Sequence, residues 1–184
     1  MQQPAPSITR LSAAEAERAV PELGALLHAC VLDGASIGFV LPFSQEEAED
    51  FWRCHVLPGL YEGTRLLWVA EAEGRIAGSV QLGRATLPNQ RHRADVNKLM
   101  VHLDGRRRGT ARALMLALEE AALAEGRTLL TLDTRSGDKA EPLYASLGYE
   151  TAGCIPGYCR DAATPRLDAT TFMFKELAPL LPAS

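Results

Sequence analysis

What this 184-residue chain lacks narrows its reading before any motif is considered. Its four cysteines, Cys30, Cys54, Cys154 and Cys159, fall in no CxxC spacing, and no HExxH or comparable pattern surrounds His28, His55, His92 or His102. Core or surface thiols are therefore the default, and no metal is expected. No apolar run approaches the length of a bilayer span, and MQQPAPSITR has no basic region followed by an apolar stretch. The expectation is neither a membrane partner nor a signal peptide, with the cytoplasm as default compartment. Positive charge is scarce as well: 19 Lys and Arg against 23 Asp and Glu give a formal charge of −4, and aromatics make up 6% of the chain. A global basic field and an aromatic stacking surface, the two usual supports of nucleic-acid binding, are both missing. No Gly-Lys-Ser/Thr follows a glycine loop, which excludes a Walker phosphate loop. No internal repeat or low-complexity linker divides the sequence, so one domain over 1–184 is expected, with 1–6 and 178–184 as flexible tails.

What is present reads as an ordered series of elements. SITRL suits a first strand, and Ser12 with Glu15 and Ser44 with Glu47 have capping-box spacing at two helix starts. Pro21 should kink or break the first helical run, and Gly34 and Gly38 interrupt the pattern in DGASIGF. RLLWVAEAEGRIAGSVQLG predicts a hairpin turning at AEGR. VNKLMV predicts a mostly buried strand whose broken alternation suggests a bulge. Leu114, Leu118 and Ala121 recur at helical spacing from Thr110 to Glu125, with Gly126 just past the end. TLLTLDT then supplies a short buried strand, and this strand–helix–strand unit implies a parallel pair. A short helix in DKAEPLYASLG and two closing strands, YETAGCIPGY and ATTFMFKEL, complete an α/β domain.

The densest chemical signal is LDGRRRGTARALM. A helix start offers backbone N–H groups with no partner in the helix, and the guanidinium groups of Arg106, Arg107 and Arg108 beside it make a trap for anions. Gly109 and Ala111 leave room for a diphosphate to approach the backbone. The alternative reading, a merely solvated basic turn, is weakened by the glycine and the βαβ unit that follow at the right offsets.

This order of elements, with Arg106-x-x-Gly109-x-Ala111, resembles the GCN5-related N-acetyltransferase (GNAT) family, whose signature is Arg/Gln-x-x-Gly-x-Gly/Ala. DGASIGF, RADVNKLMV, LLTLDT and PGYC are more narrowly similar to the tabtoxin-resistance acetyltransferase branch. The chain departs from the pattern at Arg107, where a second glycine is common, and at Ala111, where glycine is commoner. The resemblance implies a GNAT domain with a mixed, mostly antiparallel sheet, a parallel βαβ core pair and flanking helices. It implies acetyl-CoA as cosubstrate, held by Arg106, Arg107, Arg108, Gly109, Thr110 and Ala111 and by the backbone of Leu99, Met100 and Val101. It also implies direct acetyl transfer in a ternary complex to a primary amine.

An attacking amine must lose a proton, so a carboxylate in reach is useful. Asp133, at the C-terminal end of an apolar strand where α/β sheets open into clefts, and Asp95, at the start of the bulged strand, are the candidates. Which of the two is the base stays open. Asp95 reads equally well as a surface charge at a strand edge. Tyr144 in LYASLGY matches the family tyrosine often proposed to protonate the departing thiolate, and also reads as an aromatic filling a helix–sheet interface. By family analogy Trp68, Gln81, Phe39 and Tyr158 could line the acceptor pocket, and packing explains Phe39 and Trp68 equally well. The acceptor expected is a small-molecule amine, amino-acid-like or toxin-like, with its carboxylate met by Arg91, Arg93 or Arg135. A peptide acceptor and a non-catalytic acyl-CoA-binding module are the alternatives, and a homodimer is left open.

Overall fold

The computed structural model describes residues 6–177, so the tails expected over 1–6 and 178–184 lie almost wholly outside the described residues. Local capping chemistry fixes the first helices. β1 (Ser7–Leu11) leads into α1 (Ala13–Arg18), where the Ser12 hydroxyl accepts from Glu15 N–H and the Glu15 carboxylate accepts from Ser12 N–H at 2.7 Å. Pro21 stands in the first turn of α2 (Val20–Leu32), where a missing N–H breaks no helical bond, so the chain is divided at Ala19. Ser44 and Glu47 form the second capping box at α3 (Gln45–Phe51). The following run is not one uniform helix. It widens into a π-helical turn, Trp52–Val56, before α4 (Leu57–Tyr61), next to Pro58, which has no N–H to return to the Cys54 carbonyl.

β2 (Arg65–Ala72) and β3 (Arg75–Arg84) turn through Glu73 and Gly74, both with positive φ (53° and 74°), the two-residue geometry that matches strand twist. The remaining elements are β4 (Arg93–Val101), α5 (Thr110–Ala124), β5 (Leu129–Arg135), α6 (Ala140–Ser146), β6 (Glu150–Arg160) and β7 (Leu167–Glu176). Seven strands form one mixed sheet in the order β1-β2-β3-β4-β5-β7-β6, with β4 and β5 as its parallel pair, as the strand–helix–strand unit predicts. Parallel pairing covers only Arg93–Asp95 against Leu129–Thr131. Beyond it β5 continues to Arg135 on β7, while β4 continues to Val101 on β3, so the two strands part and leave a gap in the sheet. The expected bulge lies at this parting. Asn97 pairs Gln81 and Met100 pairs Ser79, so Lys98 and Leu99 together face Val80, with Lys98 in the left-handed region at φ 50°.

Each face of the sheet has its own core. Leu114, Met115, Leu118 and Ala122 of α5 pack on Val80, Leu82, Val96, Leu130 and Leu132. On the opposite face Leu23, Leu27 and Val31 of α2, with Trp52 and Val56, pack on Leu67, Val69 and Met100. Each such fully buried Leu or Val contributes roughly 1.5–3 kcal/mol. Strand alternation sends Trp68 to the α5 side, next to but opposite Leu67, so of its two readings from sequence, acceptor wall and core, it is core. The α2–α4 layer stops short of the strand ends near Gly83 and Asp95, and the uncovered part of that face is the cleft described next.

Candidate functional site

Between the end of β4 and α5 the backbone does something unusual. Arg107 and Gly109 both take left-handed φ, 60° and 78°. This alternation curls the chain so that its amides point inward, and the first helical bond of α5 runs only from Ala113 N–H to the Gly109 carbonyl. The N–H groups from Arg107 through Arg112 consequently have no acceptor among the described residues. Gly109 is the N-cap without a side-chain cap, and a Cβ placed on it would meet nothing within 4 Å. Six adjacent donors open to solvent, at the positive end of a 15-residue helix, form a cradle for a polyanion. The positive φ of Arg107 also explains why a glycine suits that position.

The three arginines are not equivalent. Arg106 is bound elsewhere: its Nη1 pairs with Asp33 Oδ2 at 2.6 Å and its Nε donates to the Val101 carbonyl at 3.2 Å, tying the loop to the end of α2. Arg107 and Arg108 are exposed and make no ion pair among the described residues. Thr110 is buried, and its hydroxyl donates to the Gly105 carbonyl at 3.1 Å, so only its N–H faces the cradle; Ala111 begins the helix without obstructing it. Leu99, Met100 and Val101 lie past the parting of the strands, on a stretch of β4 with no β5 partner. Met100 is in the core, and the Val101 carbonyl is taken by Arg106.

The gap leads to a cleft of about 600 Å³ whose lining includes Arg65, Gly83, Asp95, Asn97, Thr131, Asp133 and Phe172. Asp95 and Asp133 are thus brought together, on neighbouring strands and the same face, since Asp95 pairs Thr131 and Asp133 is two residues on. Their situations differ. Asp95 accepts from Arg93 Nη1 at 2.7 Å and from the Thr131 hydroxyl. Asp133 is exposed and accepts no hydrogen bond among the described residues. Its charge is nonetheless felt by Lys98, the bulge residue, and by Tyr144. Lys98 donates to the Ile37 carbonyl and lies over the rings of Phe39 and Phe51, and burial lowers its pKa despite the opposing pull of Asp133.

Of the two readings the sequence allows for Tyr144, its burial supports the interface aromatic. It is buried at 6% exposure, edge-on to Tyr149, and its hydroxyl makes no hydrogen bond with the described residues. Burial first, then the charges of Asp133 and Asp138, push its pKa above the usual phenol range, so it stays protonated. Of the other expected wall residues, Gln81 is fully buried on the cleft face. Phe39 packs against Phe43 and Phe51, and Tyr158 stands edge-on to Phe172. Cys154 and Cys159 pair with serine and threonine hydroxyls. Lys98 and Arg65 were missed from sequence. Lys98 had a signal in the broken alternation of VNKLMV, whereas nothing near Arg65 marks it.

Among the described residues no three His, Cys, Asp or Glu side chains gather as a metal site, and no helix is long and apolar enough to cross a membrane. A family model described as the acetyltransferase (GNAT) domain matches residues 39–155. An N-acetyltransferase in the hisH–hisA intergenic region of Azospirillum brasilense is 36% identical over 112 residues, 59% of this chain and 64% of that protein. The chain therefore spans just under two thirds of the length of that relative. Among solved structures, a ribosomal-protein-alanine N-acetyltransferase from Brucella melitensis superposes with a TM-score of 0.75 at 22% identity, covering 93% of this chain and 99% of the other. The yncA protein of Salmonella typhimurium, solved with its cofactor acetyl-CoA, gives 0.73 at 18% identity, covering 98% and 99%.

Proposed function

Since the chain belongs to the GNAT acetyltransferase domain family, we propose that it is an N-acetyltransferase moving an acetyl group from acetyl-CoA to the primary amine of a small molecule. The observation that carries this reading is that β4 serves two features. Six N–H groups with no acceptor among the described residues follow its C-terminal end, and a cleft holding two carboxylates lies beside its first half, where β5 parts from it. The residues fit the cosubstrate. A diphosphate needs many donors at short range, and the Arg107–Arg112 amides, the open Gly109 and the free guanidinium groups of Arg107 and Arg108 supply them. Arg106 acts at one remove, holding the loop in place. The unpaired edge of β4 near Leu99–Val101 offers backbone groups to an extended arm. Acetyl-CoA, when bound, supplies the activated acyl group.

The chain's own residues then have separable tasks. Asp133, with no hydrogen bond to give up, takes the proton of the incoming ammonium, directly or through water. Asp95, already bonded to Arg93 and Thr131, orients the amine. Tyr144 stays protonated and donates a hydrogen bond to the sulfur that departs. Because its pKa stands above that of an ordinary thiol near 8.5, complete proton transfer to the thiolate is uphill, and stabilisation by the hydrogen bond is its main contribution.

A cleft of about 600 Å³ lies within the range of roughly 300–1,000 Å³ usual for small ligands, which favours a small acceptor over a protein tail. The similarity of DGASIGF, RADVNKLMV, LLTLDT and PGYC to tabtoxin-resistance enzymes favours an amino-acid-like one. The test is thiol release from acetyl-CoA with amino-acid-like amines, polyamines, aminoglycosides and lysine or N-terminal peptides. Turnover of small amines is expected. Peptides winning by a wide margin would replace the small-molecule reading, and coenzyme A binding without turnover of any amine would leave a binding module.

A further inference from the structure

Charges lining the cleft can be paired off one by one. Arg84 is bidentate to Glu125 and also donates to the Gly63 carbonyl. Arg93 is held by Asp95 and by Gln90 at 3.1 Å. Two charges among the lining residues are left over, Asp133 and Arg65. Arg65 has no carboxylate within 4 Å among the described residues, and its Nη1 donates to Gln81 Oε1. Gln81 is 0% exposed, and its Nε2 has no partner among the described residues. A half-buried cation and a fully buried amide donor therefore stand together with donors to spare.

An unpaired guanidinium out of water is costly. Burial lowers the pKa of Arg65, yet arginine remains charged at neutral pH, so the cost is not relieved by losing a proton. A bound anion would relieve it. The register shows where such an anion would come from. Arg65, Gly83, Asp95 and Thr131 form one row across β2, β3, β4 and β5. Strands lie about 4.8 Å apart, which puts the Arg65 and Asp95 backbones about 10 Å apart, with Gly83 between them presenting no side chain. A Cβ on Gly83 would come within 3.2 Å of Asn97 Nδ2, so the glycine keeps this passage open. The row has a cationic end at Arg65 and an anionic end at Asp95 and Asp133. Arg91, Arg93 and Arg135, the arginines expected from sequence to meet a carboxylate, are less suited. Arg91 is exposed and outside the lining, Arg93 is paired, and Arg135 is shared among Asp138, Asp161 and Asp168.

Resting on the acetyltransferase reading above, we propose that Arg65 recognises a carboxylate of the acceptor, so that the substrate is a zwitterion whose ammonium meets Asp133 and Asp95 while its carboxylate meets Arg65. The experiment measures binding as well as turnover, so that failure of the two readings can be told apart. Amino acids with increasing separation of amine and carboxylate, each with its primary amide, are titrated calorimetrically into the protein saturated with coenzyme A. The wild type should bind at least one acid tenfold or more tighter than its amide. In Arg65→Met that ratio should fall to near one through weaker binding of the acid. Arg65→Lys, which keeps a charge and a donor for Gln81 but loses the fork, should lie between and covers the case where Arg65→Met does not fold. Gly83→Ala should weaken acids and amides alike. Equal binding of acid and amide by the wild type, no binding of any pair, or a preference that survives in both Arg65 variants would overturn the proposal. Thiol release failing for every amine while the acid preference persists would instead count against acetyl transfer alone.

Discussion

Asp133→Asn separates proton removal from every other task of the site. Asp133 is exposed and accepts no hydrogen bond among the described residues, so neutralising it breaks no pair. The variant should stay within about 0.5 kcal/mol of wild-type stability and bind coenzyme A normally. The cost to chemistry should be large. An alkylamine with a pKa of about 10.4 is free base in roughly one molecule in 2,500 at pH 7, a penalty of about 4 to 5 kcal/mol. A positioned base recovers about 10²- to 10⁴-fold of this. With Asp95 still present, kcat/KM at pH 7 should fall about 100- to 1,000-fold. The sign of the pH dependence follows. Without Asp133 the amine must lose its proton to water before it reacts, so log kcat/KM should climb by about one per pH unit towards the amine pKa while the wild type climbs less, and the deficit closes. Thiol release from pH 6.5 to 10 with one amine decides the matter. A deficit that stays constant with pH would mean that Asp133 only holds the substrate, and normal kinetics in Asp133→Asn, Asp95→Asn and the double variant would remove both carboxylates from the mechanism.

Two further changes probe the other parts. Gly109→Val adds a branched side chain at φ 78°, costing about 1–2 kcal/mol of stability without a clash, since nothing lies within 4 Å of the new Cβ. Coenzyme A affinity should drop at least tenfold by calorimetry, and an unchanged affinity in the folded variant would dismiss the cradle. Tyr144→Phe keeps the packing against Tyr149 and deletes a hydroxyl that bonds no described residue. It should therefore melt like the wild type while its single-turnover rate falls about 10- to 100-fold; an unchanged rate would leave Tyr144 as core alone.

Most of the architecture was legible because its signals are local. A capping box is closed within four residues, as at Ser12–Glu15 and Ser44–Glu47, and a two-residue turn needs only Glu73 and Gly74. The parallel pair followed from the shortness of the strand–helix–strand connection, and the bulge from the failure of VNKLMV to alternate. Where the reading failed, the missing information lay in other parts of the chain. The π-turn at Trp52–Val56 coincides with the indole N–H of Trp52 bonding the Leu23 carbonyl at 3.0 Å, a contact between residues 29 positions apart. Trp68 reads from sequence as either acceptor wall or core because position on a strand is a question of phase, and one residue of phase exchanges core for cleft; the fold makes it core.

The candidate site divides along the same line. Backbone geometry is the readable part: three arginines and a glycine before a helix point to a turn with exposed amides, and left-handed Arg107 and Gly109 precede a run of N–H groups with no acceptor among the described residues. Side-chain chemistry is not readable, because an arginine's availability depends on which carboxylates the fold brings near. Arg106, the first letter of the motif, is consumed by Asp33, 73 residues earlier in the chain. Arg93 is paired with Asp95 on its own strand, and Arg135 with Asp138 in the loop after β5, Asp161 just past β6 and Asp168 on β7. Arg65, in a segment that reads only as an apolar strand, has no carboxylate beside it among the described residues. Motifs thus locate where an anion meets the main chain, while the side chain left to read the acceptor is found by pairing every charge in the cleft and seeing which remains. By that criterion the two charges left in the cleft are Asp133 and Arg65, and the proposed zwitterion would span the distance between them past the open Gly83.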